Sequence, residues 1–133
     1  MVARILTIED NAANLELVRY LLTCGGYTVL VARDGDEGVA LALRERPDLI
    51  VCDLQMPLLD GYEVLVCLRA HADTAGLPIV ALTAFSMPND RQKVMTAGFD
   101  GYLSKPIEPE KFVAQIEAYL PSELLSRPPT AGP

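Results

Sequence analysis

The sequence predicts an α/β fold, a doubly wound parallel sheet built from five βα units, and three observations carry that expectation. Short apolar runs alternate with stretches whose apolar residues recur at helical spacing, and the alternation repeats to the end of the packed region. The first, third and fourth runs are continuously apolar, as strands are when helices cover both faces of a parallel sheet. The chain of 133 residues is long enough for one domain whose core needs neither disulfide nor structural metal.

Residues 5–8 read as the first strand, followed by a helix on which Leu15, Val18, Leu21 and Leu22 share a face. The second unit pairs a strand at 28–32 with a helix near 36–45, and the third a strand at 49–52 with a helix near 62–70. A strand at 79–82 and a helix near 89–97 form the fourth. The last is a strand at 101–104 and a helix carrying Phe112, Val113, Ile116, Tyr119 and Leu120 on one side. Crossovers of this length are expected to be right-handed. Gly25-Gly26, Asp34-Gly35, Asp60-Gly61, Gly76 and Gly98 fall between elements, where a left-handed backbone or a helix cap is wanted. Pro121, Pro128, Pro129 and Pro133 then follow, so the expected domain is 1–121 and residues 122–133 are expected to form a flexible Pro-rich tail with no further packed element.

Composition narrows the function classes. Apolar residues make up 50% and charged residues 22%, the balance of a globular chain rather than a disordered one. A net charge of -7 repels nucleic acid and anionic lipid, and the basic pairs Arg44 with Arg46 and Arg91 with Lys93 read as solvated helix faces. Neither a nucleic acid nor a membrane is expected as partner, and no apolar run approaches the roughly 18 residues of a membrane span. Cys24, Cys52 and Cys67 show no Cys-x-x-Cys spacing, which points to a reduced, cytoplasmic chain. The single histidine, His71, argues against two-imidazole mechanisms and most zinc sites, and is expected to be exposed at a helix end.

In an open parallel sheet, ligands bind beyond the carboxyl ends of the strands where the strand order reverses. Those ends carry Glu9-Asp10, Asp53, Thr83-Ala84 and Ser104-Lys105-Pro106, whereas Arg33-Asp34 offers little. With strand order 2-1-3-4-5, Glu9, Asp10 and Asp53 converge in one crevice beside Thr83 and Lys105. Carboxylates held that closely destabilise the fold unless a cation neutralises them, and Mg²⁺ suits an all-oxygen set of two carboxylates, the Gln55 backbone carbonyl and waters. A carboxylate beside Mg²⁺, a lysine and a hydroxyl is equipped to attack a phosphoryl group and form an aspartyl phosphate. Lys105 would meet phosphoryl oxygens as a mobile charge, Thr83 would donate a hydrogen bond, and the small Ala84 leaves the approach open. Singly, each residue has a plainer explanation: Glu9-Asp10 could cap the first helix, Asp53 a strand-to-helix turn, and Thr83 could satisfy nearby backbone. Their conjunction at four strand ends favours chemistry.

These residues resemble those of a response-regulator receiver domain of two-component signalling, over about residues 3–120. Glu9-Asp10-Asn11 matches the family's acidic pair, Asp53 its phosphoacceptor, Met56-Pro57 and Asp60-Gly61 its following loop, and Thr83-Ala84 its switch hydroxyl and small neighbour. Lys105-Pro106 matches its lysine and usually cis proline, and Tyr102 its switch aromatic. Residues 81–107 look most like stand-alone, DivK-type receivers and the receivers of hybrid kinases. The resemblance implies a flavodoxin-like (βα)5 fold and a Mg²⁺ cofactor. The implied phosphoryl donor is a phosphohistidine on a sensor histidine kinase or histidine phosphotransfer protein, so His71 is not the phosphorylated residue. It further implies a downstream protein target, room for a phosphorylation-dependent dimer, and catalysis limited to the domain's own phosphorylation and dephosphorylation. Phosphate on Asp53 would draw Thr83 inward and let Tyr102 fill the vacated space, altering the face of the fourth helix, fifth strand and fifth helix. Gln55 and Phe85 would flank the attacking water, with Phe85 either shielding the acyl phosphate or serving as an ordinary loop aromatic. A single-domain regulator is the expectation. The alternatives are a receiver excised from a hybrid kinase and a Mg²⁺-dependent phosphohydrolase, although the position of such an enzyme's second aspartate holds Gln55.

Overall fold

Alternate residues of the central strands point to opposite faces of the sheet, and both faces are covered. The computed structural model describes residues 2–84 and 88–125. Its elements run β1 (Arg4–Ile8), α1 (Ala12–Cys24), β2 (Thr28–Ala32), α2 (Gly35–Glu45), β3 (Leu49–Asp53), α3 (Gly61–Arg69), β4 (Ile79–Thr83), α4 (Pro88–Ala97), β5 (Gly101–Ser104) and α5 (Pro109–Glu117), closing on a 3-10 turn at Ser122–Leu124. The five strands are parallel in the order β2-β1-β3-β4-β5. Leu6, Ile8, Ile50, Cys52, Ile79 and Ala81 enter one core with Val64, Leu65 and Leu68 of α3 and Val94 of α4. Ile5, Leu49, Val51, Val80 and Leu82 enter the other, with Val18 and Leu22 of α1 and Phe112 and Ile116 of α5. The period of two along a strand thus explains why these runs carry no polar alternation.

The strands under the site are one residue longer than their apolar runs. β3 includes Asp53 and β4 includes Thr83, both buried. Ladder hydrogen bonds continue past the last hydrophobic side chain, so hydropathy marks the end of the core rather than the end of the strand. The helices α2 and α3 begin at Gly35 and Gly61 because Asp34 and Asp60 cap them, accepting from the Glu37 and Glu63 amides. At Asp60 the Glu63 carboxylate returns the bond, completing a capping box.

Two chain endings differ from the expected pattern. α2 stops at Arg46, whose φ of 47° is left-handed without glycine. The following Pro47 disfavours right-handed helix at this position, and the Arg46 guanidinium meets Asp73 at 2.9 Å. The packed fold also extends past residue 121: Pro121 opens the 3-10 turn, and Leu124 and Leu125 pack against the α1/α5 core. These two leucines lie beyond the expected boundary at 121, and apolar side chains that follow a proline still gain from burial. Residues 126–133, and with them most of the expected tail, lie outside the described residues, as does Phe85. His71 is exposed just beyond α3, with Nδ1 2.9 Å from the Cys67 carbonyl oxygen.

At the opposite end of the sheet from Asp53, Arg69 donates to the carbonyls of Ala75 (3.0 Å) and Leu77 (2.6 Å) and meets Asp100 at 2.8 Å. The same Asp100 oxygen accepts the Ile79 amide at 2.8 Å, which fixes the start of β4. Nearer the site, Gly61 is confined by backbone: a Cβ there would lie 2.7 Å from the Asp53 oxygen and 2.8 Å from the Leu54 Cα. Gly61→Ala is therefore expected to lower stability by about 1–3 kcal/mol, read from the urea midpoint. An unchanged midpoint would show that α3 does not rest on the backbone of residues 53 and 54.

Candidate functional site

The side chains of the site hang from backbone that extends the sheet by one step. The Glu9 amide donates to the Ala32 carbonyl at 3.0 Å, the Leu54 amide to Leu82 at 3.1 Å, and the Lys105 amide to Thr83 at 2.7 Å. Glu9, Asp53 and Thr83 are thereby held at adjacent strand ends with exposures of 1%, 2% and 0%. Asp10 and Gln55 are exposed, so the crevice has buried walls and an open mouth. The strand reversal between β1 and β3 brings Glu9, Asp10 and Asp53 together, each offering a carboxylate oxygen within 4.8 Å of the others.

Lys105 spans two of these acids. Its Nζ lies 3.2 Å from Glu9 Oε1 and 3.1 Å from Asp53 Oδ2, with the ammonium largely withdrawn from solvent. The remaining oxygens of the pair accept backbone amides: Asn11 donates to Glu9 Oε2 at 3.2 Å and Gln55 to Asp53 Oδ1 at 3.0 Å. Glu9 Oε1 is buried without an aligned hydrogen-bond donor despite its closeness to Lys105. Two carboxylate charges 4.8 Å apart repel by roughly 3 kcal/mol at an effective dielectric constant of about 20. Three carboxylates against one ammonium leave two negative charges in excess at full ionisation. A hard divalent cation matches that deficit, this all-oxygen donor set and the unmet Glu9 oxygen.

The plainer roles go to other residues. α1 is capped by Asn11, whose side chain accepts the Asn14 amide at 2.9 Å, and α3 by Asp60. Glu9, Asp10 and Asp53 cap no helix. Around them, Ala84 is exposed at the mouth, Tyr102 packs half-buried against the α2/α3/α4 core, and the Lys105–Pro106 peptide bond is cis. Tyr102 Oη and Ser104 Oγ lie 3.5 Å apart. Sequence reasoning missed the backbone amides of Asn11 and Gln55 that orient the carboxylates, because main-chain donors carry no residue signature. It also gave Lys105 to a phosphoryl group alone, whereas the longer Glu9 side chain reaches the same ammonium.

Burial pushes the Glu9 carboxyl up to about 7, with the neighbouring Asp53 adding to the rise and the Asn11 amide and Lys105 opposing it. Burial alone would lower the Lys105 ammonium, but the Asp53 and Glu9 carboxylates outweigh it and hold the group above its ordinary value. Burial also drives the Cys52 thiol far up, so the cysteine beside Asp53 is no nucleophile.

Fold and site together define a doubly wound α/β domain with an acid and lysine cluster at its topological switch point. The chain belongs to the response regulator receiver domain family, whose model matches residues 5–117. Among curated relatives, the polar-differentiation response regulator DivK of Brucella anthropi is 37% identical over 116 residues, covering 87% of this chain and 94% of its own. The DivK of Brucella melitensis is 36% identical over 120 residues, 90% of this chain and 98% of its own. Among solved structures, the Vibrio cholerae chemotaxis response regulator CheY4 superposes with a TM-score of 0.85 at 31% identity, over 90% of this chain and 100% of that one. The receiver domain of a Pseudomonas aeruginosa sensor histidine kinase, solved with a magnesium ion coordinated in its active site cleft, gives 0.81 at 34% identity, over 90% and 98%.

The raised Glu9 value has a signed consequence for the metal-free protein. Between the ordinary carboxyl value of 4.5 and about 7, the folded state holds a proton that the unfolded state has released, so stability falls as pH rises through this window. Glu9→Gln is expected to remove that slope and to raise the melting temperature at pH 8 relative to wild type. Melting curves from pH 5 to 8 check this, and an identical slope in the variant would remove Glu9 as its source.

Proposed function

We propose that Asp53 accepts a phosphoryl group from the phosphohistidine of a sensor histidine kinase or histidine phosphotransfer protein in a Mg²⁺-dependent reaction. On this reading the domain signals from the cytoplasm through phosphorylation-dependent contacts with a downstream protein. The observation that carries the reading is Lys105 bridging two buried carboxylates, 3.1 and 3.2 Å away, inside an acidic cluster that only one edge exposes.

In the transfer, an Asp53 carboxylate oxygen forms its bond to phosphorus as the P–N bond to the donor imidazole breaks, and the leaving nitrogen keeps the electron pair. The product is a mixed anhydride at the end of β3. The Gln55 amide holds Asp53 Oδ1 in place, which reduces the orientational freedom the carboxylate would lose on reaction. Lys105 is poised to exchange Asp53 for the phosphoryl oxygens while Glu9 still anchors it. Thr83, buried at the end of β4, supplies a hydroxyl on the far side. Glu9, Asp10, Asp53 and the Gln55 backbone carbonyl would hold Mg²⁺, which would offset charge on the phosphoryl oxygens. Thr83 turned toward the phosphoryl group leaves room at the half-buried Tyr102, so occupancy of Asp53 reaches the α4, β5 and α5 face. The magnesium-bound kinase receiver of Pseudomonas supports this placement of the cation. A phosphohydrolase reading is weaker, because Gln55 offers no carboxylate two residues after Asp53.

Incubation with acetyl phosphate and Mg²⁺ is expected to add one phosphoryl group to the wild-type chain, seen by intact mass, and none to Asp53→Asn or in excess EDTA. Lys105→Met is expected to slow the addition by roughly 10²- to 10³-fold. Equal labelling of Asp53→Asn would overturn the assignment. Thr83→Ala is expected to become phosphorylated yet leave the amide resonances of Tyr102 and α4 near their unmodified positions, and a wild-type response in that variant would remove Thr83 from the switch.

A further inference from the structure

The outer surface of α3 carries an apolar groove that the phosphoacceptor site does not use. Leu59, Tyr62, Glu63, Val66 and Cys67 line it, at the spacing of one helical face, around about 320 Å³. Of its lining residues Val66 is 69% exposed, and Leu58, the residue preceding Leu59, is 92% exposed. Leu58 also sits at φ 68°, left-handed backbone that a branched apolar residue rarely adopts. The chain thus holds a leucine in left-handed geometry with nearly all of its surface in water.

The rim of the groove is acidic. Asp60 and Glu63 form the capping box at its start. The first turn of α2 abuts it, since a Cβ on Gly35 would lie 2.6 Å from the Leu59 carbonyl oxygen, and Gly35 is flanked by Asp34 and Asp36. Burial holds the Tyr62 phenol above its ordinary value, and the charges of Asp90 on α4 and of Asp60 add to the rise. Lys93, 5.3 Å from the Tyr62 ring centroid, supplies positive charge at the α4 end alongside Asp90, against four acids, Asp34, Asp36, Asp60 and Glu63, at the starts of α2 and α3. A second copy would set one acidic rim against another on a chain of net charge -7. The complementary ligand is a helix with an apolar stripe flanked by lysine or arginine.

We infer that the α3 face, from Leu58 to Cys67, is a docking groove for a basic amphipathic helix of a partner protein, with Leu58 and Val66 as its apolar anchors. Gly61, within this segment, lies against the Asp53 backbone, where a Cβ would come 2.7 Å from the carbonyl oxygen, so a helix bound here lies one layer from the phosphoacceptor.

The test titrates the ¹⁵N-labelled full chain with a synthetic Leu/Lys amphipathic helical peptide, a scrambled peptide of the same composition and a Leu/Glu counterpart. The Leu/Lys helix is expected to give saturable shifts clustered at residues 58–67, with the other two binding at least about tenfold more weakly. Val66→Asp is expected to weaken binding by about tenfold or more with an unchanged melting temperature. Leu58→Gly relieves the backbone while removing the anchor, so it is expected to bind more weakly and melt at the same temperature or higher. Shifts that are absent, that the scrambled peptide reproduces, or that persist unchanged in both variants would overturn the proposal. So would self-association of the wild-type chain through this face, read by sedimentation and abolished by Val66→Asp.

Discussion

One lysine shared by two buried acids is the constraint on which the rest of the site depends. Lys105 lies within 3.2 Å of both Glu9 and Asp53, and both acids are buried. A buried ion pair of this kind adds little net stability, because desolvation of the ions offsets most of their attraction. Its value lies in what it leaves unfinished: three clustered carboxylates face one ammonium, a surplus of negative charge. A site balanced within itself would have no reason to take up a cation or a phosphoryl group.

The sheet makes that imbalance tolerable. Hydrogen bonds that continue past the strand ends fix Glu9, Leu54 and Lys105 to their neighbours, so the charges cannot relax apart. Gly61 lets α3 seat directly on the Asp53 backbone, and the capping box between Asp60 and Glu63 fixes the helix start. By contrast, among the described residues α4 places only Val94 in the core cluster, and its Lys93 lies over the Tyr62 ring of α3.

Much of this was legible in the amino-acid order, and the exceptions share a physical cause. The five βα units and the strand ends carrying Glu9, Asp53, Thr83 and Lys105 follow from apolar runs and helical spacing, because burial on both faces leaves a direct trace in composition. What escaped depends on geometry between distant segments or on the main chain. Arg46 ends α2 where glycine is the common choice. Leu124 and Leu125 find a core beyond a proline that reads locally as an ending. The strain at Leu58 has no signature in a run of two leucines, and Glu9 reaches Lys105 through one methylene more than an aspartate has, a distance no spacing rule supplies.

The most direct test of the charge-deficit account is a Mg²⁺ titration followed through the side-chain carboxyl ¹³C resonances of the unphosphorylated protein. The account predicts that Glu9, Asp10 and Asp53 shift together along one single-site isotherm while the acids of the α3 rim stay in place. Carboxyl shifts scattered over the exposed acids, with these three unmoved, would contradict it.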